Sequence, residues 1–504
     1  MSMPAEQKET QTSLAHLLDG FAAAPALPVD GIVLDSRKIE AGFLFLACQG
    51  ATNHGLDFCK QVAAAGAVAI AFDSSTAKSL PESLAIPLIP VANLASHLGE
   101  IANRFFGFPS QQIKVVGVTG TNGKSTVAWL LAQCLHTLGM PCAYAGTLGY
   151  GLGEIDNDDD MTSPDVVEMH IRLAGFVAQG AEYAALEVSS HALDQRRIDG
   201  VRFDTTLFTN LSRDHLDYHG DMRAYGEAKA RLFIEHPASR RIINLDSEFG
   251  TRLASRCRED VITASTHFDR VANGRPYVFV RSVVSNQSGS ELALQTAWGD
   301  ARVDLPLVGD FNVANAVLVL ACLLAADVEL QEACDALSQV SAPPGRMQRV
   351  VAGDAAAVYI DYAHSPDALE VALRALRAHT RGRLYCVFGC GGDRDTGKRP
   401  RMGRVAERLA DALVITNDNP RGEEPAQIIA DIVAGLSNAH GATIIEDRGA
   451  AIAWAITQAG TNDVVLIAGK GHENYQIMGD ERRDFSDYAT AAGHLAALAR
   501  KADA

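Results

Sequence analysis

Positive charge is the first thing this chain has little of. Lys and Arg number 44 against 61 Asp and Glu, for a formal net charge of −17 at pH 7 over 504 residues. Nucleic-acid binders usually carry a basic surface, and none is evident, which argues against a nucleic-acid partner. An anionic small ligand stays open, because local geometry can override net charge. Long apolar runs are also missing. The longest, "VAAAGAVAIAF" and "AVLVLACLLAA", are too short to span a bilayer and predict buried helices. The opening "MSMPAEQKETQT" lacks the apolar core of a signal peptide. The nine cysteines are scattered, and an odd count in a large chain argues against a disulfide framework. Cys386 and Cys390 have no second pair nearby to complete a zinc site and read as buried thiols. Together these absences point to a cytoplasmic protein without membrane insertion.

The composition that remains is globular, with 47% hydrophobic and 21% charged residues. The length suggests roughly two to four domains. Three blocks emerge, at 1–107, 108–341 and 342–504. The first holds short strand-like pieces, "GIVLDS", "FLFLAC" and "AVAIAF", and ends near Pro109 and Ser110, a plausible linker. The second alternates strands such as "IKVVGV", "YAALEV", "TTLFTN" and "RIINLD" with helical patterns. A break falls at "SAPPGRMQ", and the third block repeats the alternation with "AVYIDY", "RLYCVFG", "ALVIT" and "DVVLIAG". Such alternation predicts parallel sheets with helices on both faces. Low-complexity sequence is limited to the acidic "DNDDD" near residue 158.

In the second and third blocks the strands end in polar clusters: "TGTNGKST", "EVSSH", "TNLSRDHLD", "DYAHSPD", "GCGGDRD", "NDNPR" and "AGKGHEN". Ligands of open α/β sheets bind beyond the carboxyl ends of the strands. The first cluster is a strand, a glycine turn and a helix. Gly120 and Gly123 let backbone N–H groups close around phosphate oxygens, Lys124 supplies a mobile cation, and Ser125 offers a hydroxyl to Mg²⁺. The spacing departs from the common phosphate-loop pattern, since Gly117 lies one residue too far from Gly123 and Val118 takes the expected place. A tight turn with a chance lysine is the alternative, disfavoured by the flanking strand and helix.

Glu187 ends a strand, where a carboxylate is placed to bind Mg²⁺ directly or through water; a solvated strand-end glutamate is the blander reading. His215 lies among Asp214, Asp217 and His219 and is a candidate for a second metal, although loop histidines are more often surface groups. Lys229, in "GEAKARLF", reads from residue chemistry alone as a solvated helical lysine.

"TGTNGKST", "EVSSHALDQRR", "TNLSRDHLDYHG", "GDFNVANA", "PGRMQ", "DYAHSPDAL", "GCGGDRDTGKRP", "DNPR" and "GKGHE" occur in one order, and that ordered set resembles the Mur ligase family over most of the chain. "GKST" alone is weak; the ordered set is strong. The resemblance implies an α/β fold of three domains: a small N-terminal α/β domain for the UDP end of the substrate, a central P-loop ATPase-like parallel-sheet domain for ATP, and a C-terminal Rossmann-like domain for the incoming amino acid. It implies a monomer using ATP and Mg²⁺. The implied reaction adds meso-diaminopimelate to the D-Glu side-chain carboxylate of UDP-N-acetylmuramoyl-L-Ala-D-Glu, through an acyl phosphate. A carboxylate is a poor electrophile, and phosphorylation supplies a leaving group.

Carried over by position, Leu34, Ser36, Thr52 and Asn53 resemble the uridine-side contacts. Thr162, Ser163, Ser189, Gln195 and Arg197 match residues that hold the nucleotide-sugar substrate; the family has threonine where Ser163 stands, and the hydroxyl is kept. Gly120, Thr121, Asn122, Gly123, Lys124, Ser125 and Thr126 match the ATP loop, Asn312 an ATP contact, and Arg346 and Asp361 residues near the nucleotide. Ser125, Glu187, His215 and Lys229 fall on the metal side, and Lys124, Glu187, His215 and Lys229 are the implied catalytic set. Lys229 aligns with a lysine that the family carries as a carbamate, an anion able to sit beside Mg²⁺.

Diaminopimelate differs from lysine by one carboxylate and a stereocentre, so discrimination needs a placed cation. Arginine suits it, because its planar fork makes two charge-assisted hydrogen bonds. Arg421 of Asp418, Asn419, Pro420 and Arg421 is the candidate, with Arg394, Gly469 and Glu473 as further contacts; Glu473 suits an ammonium. The bland alternative for Arg421 is a surface pair with Glu423 or Glu424, worth ~0–1 kcal/mol. A lysine-adding or folylpolyglutamate-synthase-like ligase, a catalytically dead nucleotide-binding module and a P-loop switch or motor are the rivals.

Overall fold

A computed structural model describes residues 12–502 apart from 51, 78–79, 81–83, 157–161, 258–259, 268–273, 287 and 351–355. The polar N-terminus before Thr12 and most of "DNDDD" lie outside the described residues. The chain divides into two compact units: Met1–Lys124, Gly139–Arg241 and Ser255–Asp260 form one, and Ser125–Leu138, Ile242–Ala254 and Val261–Ala504 the other.

The first unit opens with four parallel strands in chain order, Gly31–Val33, Phe43–Ala47, Ala69–Asp73 and Leu88–Val91. Their apolar runs are buried, as expected for a parallel sheet covered on its faces. "VAAAGAVAIAF" is not one helix. Helix Cys59–Ala64 ends at Gly66, whose φ of +94° suits a left-handed helix end, and strand Ala69–Asp73 follows. Pro109–Gln111 is a short 3₁₀ turn in which Ser110 is buried and accepts the Arg202 N–H at 3.0 Å.

The same unit holds strands Phe203–Phe208, Lys114–Thr119, Tyr183–Glu187, Cys142–Gly146 and Gly149–Gly151, adjacent in that order. All are parallel except the last. The parallel register sets the segments after Phe208, Thr119, Glu187 and Gly146 side by side at one sheet edge. These segments contain "TNLS", the glycine turn, "VSSH" and "TLGY".

In the second unit, Val261–Ser265 pairs in parallel with Tyr277–Asn286, and Gly289–Thr296 and Gly299–Leu305 add antiparallel strands. The alternation read from the sequence did not anticipate these hairpins. "AVLVLACLLAA" does form a buried helix, within Asp310–Ala325. A six-stranded sheet follows in the order Gln348–Val350, Ala357–Asp361, Val464–Ala468, Leu384–Phe388, Ala412–Ile415 and Ala442–Ile444. It is parallel except at Gln348–Val350. Helices Pro366–His379, Lys398–Leu409 and Pro425–Val433 cover one face, and Arg448–Gln458 and Asp487–Ala502 the other. Val464–Ala468 inserts between earlier strands, so "DYAHSPD", "GKGHEN", "GCGGDRD" and "NDNPR" line up along one carboxyl edge.

Candidate active site

Glycine is required where the turn after Thr119 meets its neighbour. Gly120 has φ +153° and Gly123 φ +85°, and a Cβ on Gly120 would strike Thr209 Oγ1. The turn is tied to "TNLS". Thr121 N–H donates to the Asn210 carbonyl at 2.9 Å, Asn122 N–H to Asn210 Oδ1 at 3.0 Å, and Thr209 Oγ1 to the Asn122 carbonyl at 2.6 Å. Lys124 Nζ curls back to the carbonyls of Gly120 and Thr121, at 3.1 and 2.9 Å. Ser125 and Thr126 continue helix Lys124–Thr137, with Thr126 buried.

Lys229 is not a solvated lysine. Asp221 caps helix Met222–Ile234, and Lys229 lies on its inner face with Tyr225, Leu232 and Phe233, at 1% exposure. Its Nζ donates to the Gly120 carbonyl at 2.7 Å and sits 4.4 Å from the centre of the Tyr225 ring. Burial, then the positive charge of Lys124, pushes its pKa well below the ordinary lysine value. The signal was in the sequence: positions 225, 229, 232 and 233 form a core stripe at helical spacing.

Glu187 is 1% exposed, not solvated. Tyr144 OH donates to Oε1 at 2.5 Å, Thr147 N–H to Oε1 at 2.9 Å, and Thr147 Oγ1 to Oε2 at 3.2 Å. Thr147 Oγ1 also lies 3.1 Å from Thr162 Oγ1, bringing the carboxylate and a substrate-side hydroxyl together. His215 has φ +51° and is about half exposed, with Nε2 3.6 Å from Asp214 Oδ2 and its ring 5.0 Å from that of His191. Among the described residues no group of three or more His, Cys, Asp and Glu could hold a metal ion. Mg²⁺ is usually held by one or two protein oxygen donors with phosphates and waters completing the shell, and the Glu187 carboxylate and Ser125 hydroxyl are donors of that kind, whereas His215 and unmodified Lys229 offer only nitrogen.

The other substrate-side positions interlock. Ser163 Oγ donates to the Glu187 carbonyl at 3.0 Å and accepts the Ser189 N–H at 3.2 Å, while Ser189 Oγ caps the next helix through Ala192 N–H. Arg197 Nη1 donates to the Ser163 carbonyl at 2.8 Å, and its Nε and Nη2 grip Gln195 Oε1. Gln195 in turn donates to Tyr218 OH at 3.1 Å. Leu34, Ser36, Thr52 and Asn53 follow two adjacent parallel strands, so both segments lie at the same edge. Ser36 is buried, and Asp35 caps its turn.

Asn312 lies in the first turn of helix Asp310–Ala325, is 2% exposed, and donates to the Val308 carbonyl at 2.9 Å. Asp361 accepts the N–H groups of Met347 and Ala363 at 2.8 and 2.9 Å. Burial raises its pKa, against Arg346 and those N–H groups, which lower it. The Arg346 guanidinium stacks 5.1 Å from the centre of the Tyr362 ring.

Arg421 makes no ion pair among the described residues, so the surface pair with Glu423 or Glu424 does not form. Glu423 is taken by Arg399 at 2.8 Å. Arg421 has φ +52°, held by its N–H on the Ile477 carbonyl and by Gly479 N–H on its own carbonyl. Its Nη1 donates to the Gly392 carbonyl at 2.9 Å, two residues from the exposed Arg394. Pro420 precedes it, and Asp418 and Asn419 are buried. A Cβ on Gly469 would lie 2.6 Å from Asp418 Oδ2. Glu473 already has an ammonium: fully buried Lys470 donates to Glu473 Oε2 and to Asn419 Oδ1, both at 3.1 Å. Asn419 Nδ2 adds a bond to Glu473 Oε2 at 2.8 Å. Lys470, Arg399, Thr209 and Asn210 were not singled out from the sequence, although each lies in a quoted motif.

A glycine turn with two lysines on one of its carbonyls, and a Rossmann-like sheet edged with arginines, mark an α/β protein that gathers cations at its strand ends. The chain belongs to the Mur ligase family. Its residues 28–106 match the Mur ligase family catalytic domain, 118–323 the Mur ligase middle domain, and 345–471 the Mur ligase glutamate ligase domain. It is 45% identical over 483 residues to the UDP-N-acetylmuramoyl-L-alanyl-D-glutamate--2,6-diaminopimelate ligase of Pseudomonas putida, covering 95% of this chain and 97% of the relative. The enzyme of the same name from Coxiella burnetii is 42% identical over 484 residues, 95% of this chain and 98% of the relative. A solved structure of a ligase of that name superposes with TM-score 0.75 at 32% identity, covering 97% of this chain and 99% of that one. A Mycobacterium tuberculosis folylpolyglutamate synthase shares the fold, with TM-score 0.58 at 18% identity over 79% of this chain and 94% of that one.

Proposed function

We propose that this chain is an ATP-dependent amide ligase of peptidoglycan precursor synthesis. It adds meso-diaminopimelate to the D-Glu side-chain carboxylate of UDP-N-acetylmuramoyl-L-Ala-D-Glu, releasing ADP and phosphate. The observation that carries the choice of amino acid is Arg421. It stands at the carboxyl edge of a parallel sheet, forms no ion pair among the described residues, and is held by backbone bonds on both sides. A guanidinium fixed in that way suits a carboxylate that lysine lacks.

The chemistry is the one that the family resemblance implies. The phosphoryl group moves to the D-Glu carboxylate, and the amine of diaminopimelate attacks the acyl phosphate. Lys124 is placed to follow the charge of the transferred group. Thr162, Ser163, Ser189, Gln195 and Arg197 orient the carboxylate substrate. Ser125, Glu187, His215 and Lys229 are the residues that would hold Mg²⁺, which supplies charge neutralisation at the phosphates. Lys229 supports this role physically. Its ammonium is disfavoured by burial, and a neutral amine is the form that reacts with CO₂ to give a carbamate. Gly120 to Thr126, Asn312, Arg346 and Asp361 would contact ATP, and Leu34, Ser36, Thr52 and Asn53 the uridine end. The domains run 1–107, 108–341 and 342–504, and the protein acts as a cytoplasmic monomer. No helix among the described residues is long and apolar enough to cross a membrane.

The test mixes the protein with ATP, Mg²⁺ and UDP-N-acetylmuramoyl-L-Ala-D-Glu, and follows ADP release with meso-diaminopimelate or with L-lysine. Release that depends on meso-diaminopimelate and is far slower with L-lysine is expected. Equal turnover of the two would remove the role given to Arg421.

A further inference from the structure

Two loops carry the arginines assigned to the incoming amino acid, and a third arginine lies beneath both. Arg399 is in the first turn of helix Lys398–Leu409 and is 1% exposed. Its Nη2 donates to Glu423 Oε1 at 2.8 Å and reaches the Gly391 carbonyl at 3.4 Å. Its Nη1 donates to Asp431 Oδ2 at 2.9 Å. One guanidinium therefore touches the loop of Arg394, the loop of Arg421, and helix Pro425–Val433 that follows the second loop.

The loops are also laced directly. Asp393 N–H donates to Glu423 Oε1 at 2.6 Å, the same oxygen that Arg399 holds. Gly392 N–H donates to the Asn419 carbonyl at 2.9 Å, and Gly422 N–H to Asp393 Oδ2 at 3.0 Å. Arg421 closes the lacing on the Gly392 carbonyl. The glycines matter here: a Cβ on Gly391 would lie 2.8 Å from Arg421 Nη1, and one on Gly392 would strike the Pro420 carbonyl.

We propose that Arg399 is a positioning residue for amino-acid selection, clamping the Arg394 and Arg421 loops at the spacing that a second carboxylate requires. The proposal rests on the reading of Arg421 given above. Arg399 itself is buried under the loops and has no role in contacting substrate. Its planar fork bridges two carboxylates and a carbonyl at once, which a single ammonium on a flexible stem does not reproduce. Without the clamp, Glu423 and Asp431 face each other without their shared cation, and the Gly391–Arg394 segment loses its anchor. Arg421 then loses the fixed carbonyl that aims it. A misplacement of about 1 Å costs on the order of a hundredfold in a site that depends on orientation.

The experiment compares the full-length protein with Arg399→Lys and Glu423→Gln. It measures kcat and KM for each of the three substrates, and the ratio of kcat/KM between meso-diaminopimelate and L-lysine. In Arg399→Lys the KM for meso-diaminopimelate is expected to rise roughly 10- to 100-fold, with the selectivity ratio falling in proportion. The KM values for ATP and UDP-N-acetylmuramoyl-L-Ala-D-Glu stay within about twofold, a split that general loosening of the fold does not produce. Glu423→Gln leaves the Asp431 bond intact and should move the ratio the same way by a smaller factor, which keeps the test available if Arg399→Lys fails to fold. A wild-type protein with no preference for meso-diaminopimelate overturns the reading of Arg421. A wild-type preference that survives undiminished in the variants, or three KM values that rise together, overturns the clamp alone.

Discussion

Two edges of this protein collect cations, and they treat them in opposite ways. Beyond strand Lys114–Thr119, Lys124 and Lys229 both donate to the Gly120 carbonyl, and Lys229 is buried without an ion pair among the described residues. Along the six-stranded sheet, buried cations meet carboxylates: Arg399 has Glu423 and Asp431, Lys470 has Glu473, and Arg448 has Asp487. Burying an unpaired charge costs several kcal/mol, so the first arrangement survives by disfavouring the Lys229 ammonium. It is suited to receive negative charge from outside, as phosphate or as a carbamate. The second has its buried cations already matched, and they supply the fixed geometry that presents Arg421, which forms no ion pair among the described residues. The buried cations of the first edge wait for charge, and those of the second hold the shape around Arg421.

The largest effect is expected where the contrast is sharpest. Lys229→Ala should lower kcat by about a thousandfold or more, since it removes a charged group from the transfer site. A small added carboxylate such as formate should restore part of the activity, and full activity in the variant would remove the carbamate role. Lys229→Met separates stability from activity. The unmodified lysine has a folded pKa below its ordinary 10.5, so its stability contribution is fully present above that pH and lost as pH falls toward the folded value. The methionine variant should lose that part of the pH dependence and melt higher at neutral pH without ligands, while remaining inactive. A lower Tm in the variant would mean that burying Lys229 carries no such penalty.

Arg421→Ala tests the other edge. Its kcat/KM for meso-diaminopimelate should fall by roughly a hundred- to a thousandfold, with KM for ATP unchanged. A change in ATP binding of similar size would mean that the two edges do not have separate tasks.

The matched charges at the second edge predict stability effects in their place. Arg448 and Asp487 are fully buried and joined by two bonds of 2.7 Å, and Arg448 also donates to the carbonyls of Asn417 and Ala468. Asp487→Ala leaves that cation unpaired and should cost about 3 kcal/mol in urea unfolding. Arg448→Met combined with Asp487→Leu should recover much of the loss, because both desolvation costs disappear together.

Strands with long apolar runs and polar ends were legible in the sequence because a parallel sheet writes both features into each strand. The ordered motifs made the family legible as well. Burial of single charged residues was not, because residue type argues one way and helical position another: Lys229 reads as solvated until its neighbours Tyr225, Leu232 and Phe233 are counted. "VAAAGAVAIAF" failed for a related reason. Composition does not separate a helix from a strand in a short apolar run, and only Gly66 marks where one gives way to the other. The strand from Tyr277 ends in the polar "SNQSGS", which the motif reading passed over. Arg399 lies within a motif, but its partners Glu423 and Asp431 are 24 and 32 residues away; Lys470 has Glu473 three residues on, while its other partner, Asn419, is 51 residues away, and spacing along the chain does not reveal such distant pairs.

The smallest predicted effect concerns the residues that tie the glycine turn. Asn210 accepts the Thr121 N–H through its carbonyl, and its side chain accepts the Asn122 N–H and donates from Nδ2 to the Asn122 carbonyl at 3.0 Å, so Asn210→Ala keeps the first bond and removes the other two. The Thr209 bond to the Asn122 carbonyl also remains. The turn should loosen without opening, and KM for ATP should rise about tenfold, the order expected for two lost exposed hydrogen bonds at the low end of ~0.5–1 kcal/mol each. KM for meso-diaminopimelate should not move. If it rises as much as that for ATP, the turn and the arginine loops are coupled, and the division of labour between the two edges would have to be given up.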